Sequence, residues 1–181
     1  YVNKVLGKTW APNQIQPRWV IEGLATYEES RHSSSGRTRS TTFDMYLRAP
    51  VLDGVDADLD EVSHGPFTFP RGNAAYLYGS HFLKYVFDRY GDHHVKEMVW
   101  QGGGQVVPYG INRSIRESTG RTFTALWDEW KAHLRDRDTV QLEAVERRGR
   151  RDGRRLTFSA EGNISPQYAP DGRWLYWGEM L

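Results

Sequence analysis

Apolar positions along this chain fall mostly at helical spacing, and the pattern changes only near the C-terminal end. Over 18–31, Val20, Leu24 and Tyr27 make one apolar stripe, while Glu22, Ala25, Thr26 and Glu29 make a second of small and acidic residues. Pro17 suits the first position of that helix, where its missing N–H costs nothing. A stretch rich in Ser, Arg and Gly over 32–41 predicts a loop, a short helix follows over 42–52, and an acidic loop comes next. The best-patterned segment is 73–90. Ala75, Gly79, Phe82, Val86 and Tyr90 share one face, Tyr76, Leu83 and Phe87 widen it, and Gly91 closes it. A face that broad must be buried on more than one side. Further helices are predicted over 92–100, ending in the glycine run Gly102–Gly104, and around Ile111 and Ile115, stopped by Gly120. Thr122 or Thr124 can cap the last helix, where Phe123, Leu126, Trp127, Trp130 and Leu134 keep the spacing and the pattern runs to about Glu146. Residues 1–16 read as irregular.

After an Arg- and Gly-rich linker the period shortens. Residues 155–160 and 173–178 read as strands, separated by Glu161-Gly162-Asn163 and Pro170-Asp171-Gly172 turns. The predicted fold class is therefore mainly α followed by a few β-strands. The predicted organisation is a helical unit over 1–146, a linker over 147–155 and the start of a β domain over 156–181.

Composition narrows the chemistry. The 181 residues carry 24 Lys and Arg against 23 Asp and Glu, a net charge of +1, which exerts no global pull toward nucleic acid or a membrane surface. With no cysteine, disulfide frameworks, Cys-based zinc sites and thiol catalysis are all excluded. No apolar run approaches the roughly 18 residues of a membrane span. An apolar fraction of 38% is low for a self-sufficient domain of this length, and the chain reads as a piece of something larger. The basic cluster Arg147, Arg148, Arg150, Arg151, Arg154 and Arg155 contains two glycines and an acid and no interleaved aromatic, which suits a solvated linker better than a phosphate-binding surface.

The six histidines, His32, His64, His81, His93, His94 and His133, include no pair four apart, so the chain holds no H-E-x-x-H helix. His93 and His94 are helical neighbours, expected to point about 100° apart and not to chelate one ion together. No G-x-S-x-G elbow is present. On residue statistics alone, Glu22 is an ordinary helical carboxylate.

Its surroundings change that. The string Pro17-Arg18-Trp19-Val20-Ile21-Glu22-Gly23-Leu24-Ala25 resembles the third-ligand helix of gluzincin metallopeptidases, the clan that includes aminopeptidase N-like and peptidase MA-like enzymes. The resemblance implies that Glu22 is a zinc ligand, completing with two histidines a His, His, Glu site for Zn²⁺ that leaves a fourth position open for water. Those histidines, and the general-base glutamate between them, are absent from this chain and are expected ahead of Tyr1. Glu29, two turns on, faces the same way as Glu22; it suits a second-shell partner, and equally a solvent-exposed charge.

A second string, Asn73-Ala74-Ala75-Tyr76-Leu77-Tyr78-Gly79-Ser80-His81 through Arg89-Tyr90-Gly91, resembles the downstream helix of the same clan. The clan's Y-x-x-G places the oxyanion-stabilising tyrosine at Tyr76, with Tyr78 as the alternative register and core packing as the plain reading of both. A phenol suits that role because its O–H donates to developing negative charge without carrying charge itself. His81 either lines the same cleft or is a hydrogen-bonded structural histidine.

A third string, Leu156-Thr157-Phe158 followed by Pro166-Gln167-Tyr168-Ala169-Pro170-Asp171-Gly172-Arg173-Trp174-Leu175-Tyr176, resembles a blade of a TolB-like β-propeller, with Ala169 where serine is usual. Together the resemblances imply part of a zinc metallopeptidase acting on peptide or protein substrates, fused to a propeller and located in the periplasm or outside the cell. The fragment alone is expected to be inactive and to hold Zn²⁺ weakly or not at all. The alternative is a non-catalytic scaffold that binds protein partners through the propeller. No nucleic acid partner is expected.

Overall fold

The computed structural model describes residues 16–66, 69–104, 111–158 and 162–180. The irregular stretch expected at the N-terminus lies outside them except for Gln16. The chain divides into two compact units, Tyr1–Glu143 and Ala144–Leu181. The described residues are mainly helical, with one two-stranded antiparallel sheet at the C-terminal end.

The helices are α1 (Arg18–His32), α2 (Thr41–Asp53), α3 (Leu59–His64), α4 (Ala74–Tyr90), α5 (His93–Gly104), α6 (Ile111–Thr119) and α7 (Phe123–Arg147). Six of these follow the sequence pattern closely. Ser40 caps α2 by accepting from the Phe43 N–H, and Thr122 rather than Thr124 caps α7, its Oγ1 accepting from the Ala125 N–H at 3.2 Å. α5 runs through the glycine run that was expected to end it.

Helix α3 was not foreseen, because its six residues sit inside the acidic loop. Asp60 and Glu61 occupy its first turn, where carboxylates complement the positive helix end, and Val62 anchors it in the core at 2% exposure. The loop's other acids have a partner as well. Lys131 of α7 reaches Asp56 and Asp58, each at 2.8 Å, with its own side chain 14% exposed and that of Asp56 8%.

The core of the first unit is aromatic. Trp19 of α1 packs on Phe82 of α4 at 5.6 Å between ring centroids, and edge-on to Phe123 of α7 at 5.1 Å. Phe82 meets Trp127 at 4.9 Å, and Trp127 meets Trp130 at 4.8 Å. The indole N–H of Trp127 donates to the Ala57 carbonyl at 3.3 Å, so the cluster buries no orphaned donor there.

The buried face of α1 differs from the predicted stripe. It comprises Trp19, Val20, Gly23, Thr26, Tyr27 and Ser30, with Leu24 only partly covered. Gly23 carries no hydropathy signal, yet the face centres on it. A Cβ placed on Gly23 would lie 2.5 Å from the carbonyl carbon of Gly79, and one on Gly79 would lie 2.3 Å from the Trp19 carbonyl oxygen. α1 and α4 therefore cross backbone to backbone, which only glycine allows on both sides.

In the second unit the strands are displaced from their expected positions. β1 (Gly162–Tyr168) pairs with β2 (Leu175–Met180), from Gly162 opposite Met180 to Tyr168 opposite Leu175, with an irregularity between Ile164 and Gln167. The expected strand over 155–160 is not regular structure through Phe158, and its last two residues lie outside the described ones. The Pro170-Asp171-Gly172 turn forms as expected, with the Gly172 N–H donating to Ala169 and the Ala169 N–H to Trp174. That turn pairs the segment that immediately precedes it, which begins at Gly162 and Asn163, two residues expected in a turn. The irregular register accommodates Pro166. Arginines of the linker are exposed; Arg150 pairs with Asp152 at 2.8 Å and Arg155 lies over the Phe158 ring at 5.0 Å.

Candidate functional site

The crossing of α1 and α4 fixes the site. Glu22 immediately precedes the contact residue Gly23, and Tyr76 lies one turn before Gly79, so both side chains flank one crossing. They are joined through a guanidinium. Arg18 Nε is 3.7 Å from Glu22 Oε1, and Arg18 Cζ stands 5.9 Å from the centroid of the Tyr76 ring. A second guanidinium approaches the same ring, with Arg37 Cζ at 5.2 Å. Arg37 in turn donates to Glu29 Oε2 through Nε at 3.0 Å and Nη2 at 2.5 Å. The result is a continuous array, Glu22–Arg18–Tyr76–Arg37–Glu29, with two positive and two negative groups around one phenol. Sequence reasoning named Glu22, Glu29 and Tyr76, and these come together.

Arg18 and Arg37 were not foreseen. Arg18 was legible as the i−4 partner of Glu22 on a helix. Arg37 was not, because its position depends on how the 33–40 loop docks. That loop is fastened to α1 at Ser30, which is buried. Ser30 Oγ donates to the Thr26 carbonyl at 2.9 Å and accepts from the Thr38 N–H at 3.0 Å, and Arg39 donates to the carbonyls of Ser30 and Ser33. Gly36 lies so flat on Ser30 that a Cβ there would fall 2.0 Å from the Ser30 Cα. The short 3₁₀ turn Arg37–Arg39 then presents Arg37 to Tyr76.

Tyr78 is elsewhere. Two residues along a helix rotate the side chain by about 200°, which carries it to the far side of α4 from Tyr76. It is 3% exposed, packs 6.2 Å from Trp127, and is hydrogen-bonded to the Ala57 backbone. Burial, with the Asp56 and Glu61 charges adding to it, pushes its hydroxyl up to about 12. Of the two tyrosines, Tyr76 is the one beside Glu22.

His81 lines a separate polar cavity of about 450 Å³ with Asp44, Tyr85, His133 and Arg137. Its Nδ1 lies 2.9 Å from the Leu77 carbonyl, so that nitrogen carries the proton, and burial lowers its pKa below the usual histidine value. His93 and His94, expected to diverge, have ring centroids 3.9 Å apart at the start of α5.

On the flank of α1, Val20, Ile21, Leu24 and Ala25 form a largely apolar groove of about 360 Å³ with Met98 and Val99 of α5. Ala25 lies on the same helical stripe as Arg18, Glu22 and Glu29, so the groove adjoins the array.

Glu22 suits a metal-donor role in one respect: its side chain is 29% exposed and held by a single long contact to an exposed guanidinium, which a cation can displace. Among the described residues, however, no group of three or more His, Cys, Asp or Glu is arranged to hold a metal ion. No helix among them is long and apolar enough to cross a membrane. Compared with models of protein families, with curated proteins and with solved structures, the chain matches none.

Proposed function

We propose that this chain supplies part of the active site of a zinc metallopeptidase of gluzincin type, with Glu22 as the third metal ligand and Tyr76 as the oxyanion donor. The carrying observation is that Glu22 and Tyr76 flank the Gly23/Gly79 crossing and share Arg18 as a neighbour. Zinc, when bound, supplies a Lewis acid and an activated water for peptide hydrolysis. This reading requires two histidine ligands and a general base that this chain does not supply. Within this chain, the carboxylate of Glu22 offers one negatively charged oxygen donor, and the Tyr76 hydroxyl donates a hydrogen bond to charge developing on the scissile carbonyl oxygen. Glu29 acts on this site by holding Arg37 against the Tyr76 ring. The hairpin of β1 and β2 is assigned to the first blade of a TolB-like propeller, and the protein to the periplasm or the cell exterior.

The test uses the complete protein. Glu22→Gln is expected to lower zinc content from one ion per chain to a small fraction, and Tyr76→Phe to keep zinc while reducing kcat on a fluorogenic peptide about 100-fold. A wild-type protein without stoichiometric zinc refutes the peptidase assignment. It favours the alternative, a scaffold in which Glu22 serves only its ion pair with Arg18 and the propeller binds protein partners.

A further inference from the structure

Six of the chain's 24 Lys and Arg lie between Arg147 and Arg155, as three adjacent pairs: Arg147-Arg148, Arg150-Arg151 and Arg154-Arg155. None of them takes part in the array around Tyr76. Helix α7 ends at Arg147, and from Arg150 to Phe158 the backbone is in neither helix nor strand. Every residue from Val145 to Leu156 is exposed. Among the described residues, the last backbone–backbone hydrogen bonds before the hairpin are donated by the Arg148 and Gly149 N–H groups.

An endoprotease takes up its substrate as an extended strand, so an exposed arginine on a helix is shielded until that helix unwinds. Arg18 on α1 and Arg113 on α6, with side chains 62% and 79% exposed, are protected in this way. Arg37 and Arg39 are fastened to α1 by their hydrogen bonds. The 150–158 segment needs no unfolding to be taken up. Neighbouring side chains of an extended segment point to opposite sides, so a pair of arginines enters two separate pockets, and each guanidinium selects a carboxylate there.

The three pairs are not equivalent. Arg148 is still held to the end of α7, its N–H donating to the Val145 carbonyl at 3.1 Å. Arg150 pairs with Asp152 at 2.8 Å, and a cut after Arg151 would bring Asp152 against pockets that are themselves acidic. Arg154-Arg155 is followed by Leu156, Thr157 and Phe158, none of them charged. Arg155 holds only the Thr157 carbonyl, at 2.7 Å, and the face of the Phe158 ring, both exposed contacts that are readily given up. We propose that Arg154-Arg155 is a processing site, at which a serine endoprotease specific for paired arginines cleaves the Arg155–Leu156 bond. The amide C–N bond breaks, the hydroxyl of a water goes to the Arg155 carbonyl carbon, and the remaining proton goes to the Leu156 nitrogen. The helices and the hairpin are then on separate chains.

The complete protein is digested with a limiting amount of a subtilisin-type protease specific for paired basic residues, and the products are read by intact mass spectrometry. The first cut within this chain is expected after Arg155. Arg154→Gln is expected to slow that cut about 30-fold, and Arg155→Gln to abolish it. Arg151→Gln is expected to change it less than about twofold. All three side chains are exposed, so none of these variants is expected to shift the melting temperature. Trypsin, which needs a single arginine, is expected to cut Arg154→Gln and wild type after Arg155 at equal rates. A first cut elsewhere in this chain overturns the processing site, and so does an Arg154→Gln protein cut by the paired-basic enzyme as fast as wild type. A chain that stays uncut but is retained on a polyphosphate resin also overturns it, and assigns the arginines to a polyanion.

Discussion

Replacing Gly23 with alanine adds one methyl group at the tightest point of the molecule. In a solvent-exposed helix the same change stabilises by about 1 kcal/mol, through helix propensity. Here the new Cβ would meet the carbonyl carbon of Gly79 at 2.5 Å, its Cα at 2.7 Å and its oxygen at 2.8 Å, all backbone atoms that cannot rotate away. To restore carbon–carbon contact distance, α1 and α4 must separate by about 1 Å. Trp19 moves with α1 and pulls away from Phe82, Phe123 and Trp127, so dispersion is lost across the whole aromatic cluster. Overpacking of this kind costs about 1–3 kcal/mol or more, so Gly23→Ala is expected to destabilise by about 2 kcal/mol net of propensity. Gly79→Ala behaves similarly, since its Cβ would fall 2.3 Å from the Trp19 carbonyl oxygen. The double variant is expected to cost less than the sum, because once the helices part the second methyl finds room. Gly72→Ala, where a Cβ meets nothing within 4 Å, is the neutral control. Urea unfolding followed by far-UV circular dichroism measures all four. A Gly23→Ala protein as stable as wild type refutes the backbone-to-backbone crossing, and with it the geometry that places Glu22 beside Tyr76.

Lys131→Met removes the nearer of two cations from Asp56, whose side chain is 8% exposed and keeps Arg135 at 3.6 Å, and is expected to cost about 2 kcal/mol in urea unfolding, whereas Asp58→Asn, at a side chain 73% exposed, is expected to cost under about 1 kcal/mol. Burial alone would lower the Lys131 pKa, but hydrogen bonds to Asp56 and Asp58 outweigh it and raise it, which marks the pair as formed in the charged state. Glu129 accepts from the Tyr85 hydroxyl at 2.8 Å and the Tyr90 hydroxyl at 3.0 Å, and pairs with Arg89 and Arg121. Burial would raise its pKa, and these four donors reverse that and hold it below 4.5. Glu129→Gln is therefore expected to cost about 2 kcal/mol at neutral pH, with the gap to wild type closing as pH falls below 4.5 through the folded-state value. A gap that persists unchanged to pH 2 refutes the charged acceptor. His81 contributes in a different window. Its folded pKa is lowered, chiefly by burial, so the unfolded chain takes up the proton first and stability is full above pH 6.5 and falls as pH drops below it. Melting temperatures between pH 8 and pH 5 are expected to decline more steeply for wild type than for His81→Gln.

How much of this was legible beforehand differs by element. The bounds of α4 were readable to within a residue, because a 17-residue helix repeats its apolar spacing and Gly91 closes it, but the buried face also takes in Ala74, Leu77, Tyr78 and Ser80, which the predicted face left out. α3 was hidden, since six residues carry barely two turns of pattern and most of them are acidic. The hairpin was found but shifted: Gly162 and Asn163 were read as a turn, where pairing across the Pro170-Asp171-Gly172 turn makes them the start of a strand. For the site, Glu22 and Tyr76 were nameable from motif resemblance. Their proximity was not, because each motif describes one helix and neither says where two helices meet.

The sequence by itself determined where the first unit is helical, that any metal chemistry must use His and carboxylate donors, and which carboxylate and which two phenols were candidates. The helices and donor types are local properties, set by period, capping and residue chemistry within a few turns, and the candidate side chains are what the resemblance of two single-helix motifs implies. Tertiary structure buried Tyr78 against Trp127 while leaving Tyr76 beside Arg18, brought Arg37 from a loop onto the Tyr76 ring, and paired Lys131 with the acidic segment. Each of those outcomes depends on the backbone contact between Gly23 and Gly79, or on docking across long stretches of chain. Gly79 was counted on the predicted face of α4, but Gly23 adds nothing to a hydropathy pattern, so the spacing that predicts the helices marked only one side of the contact between them.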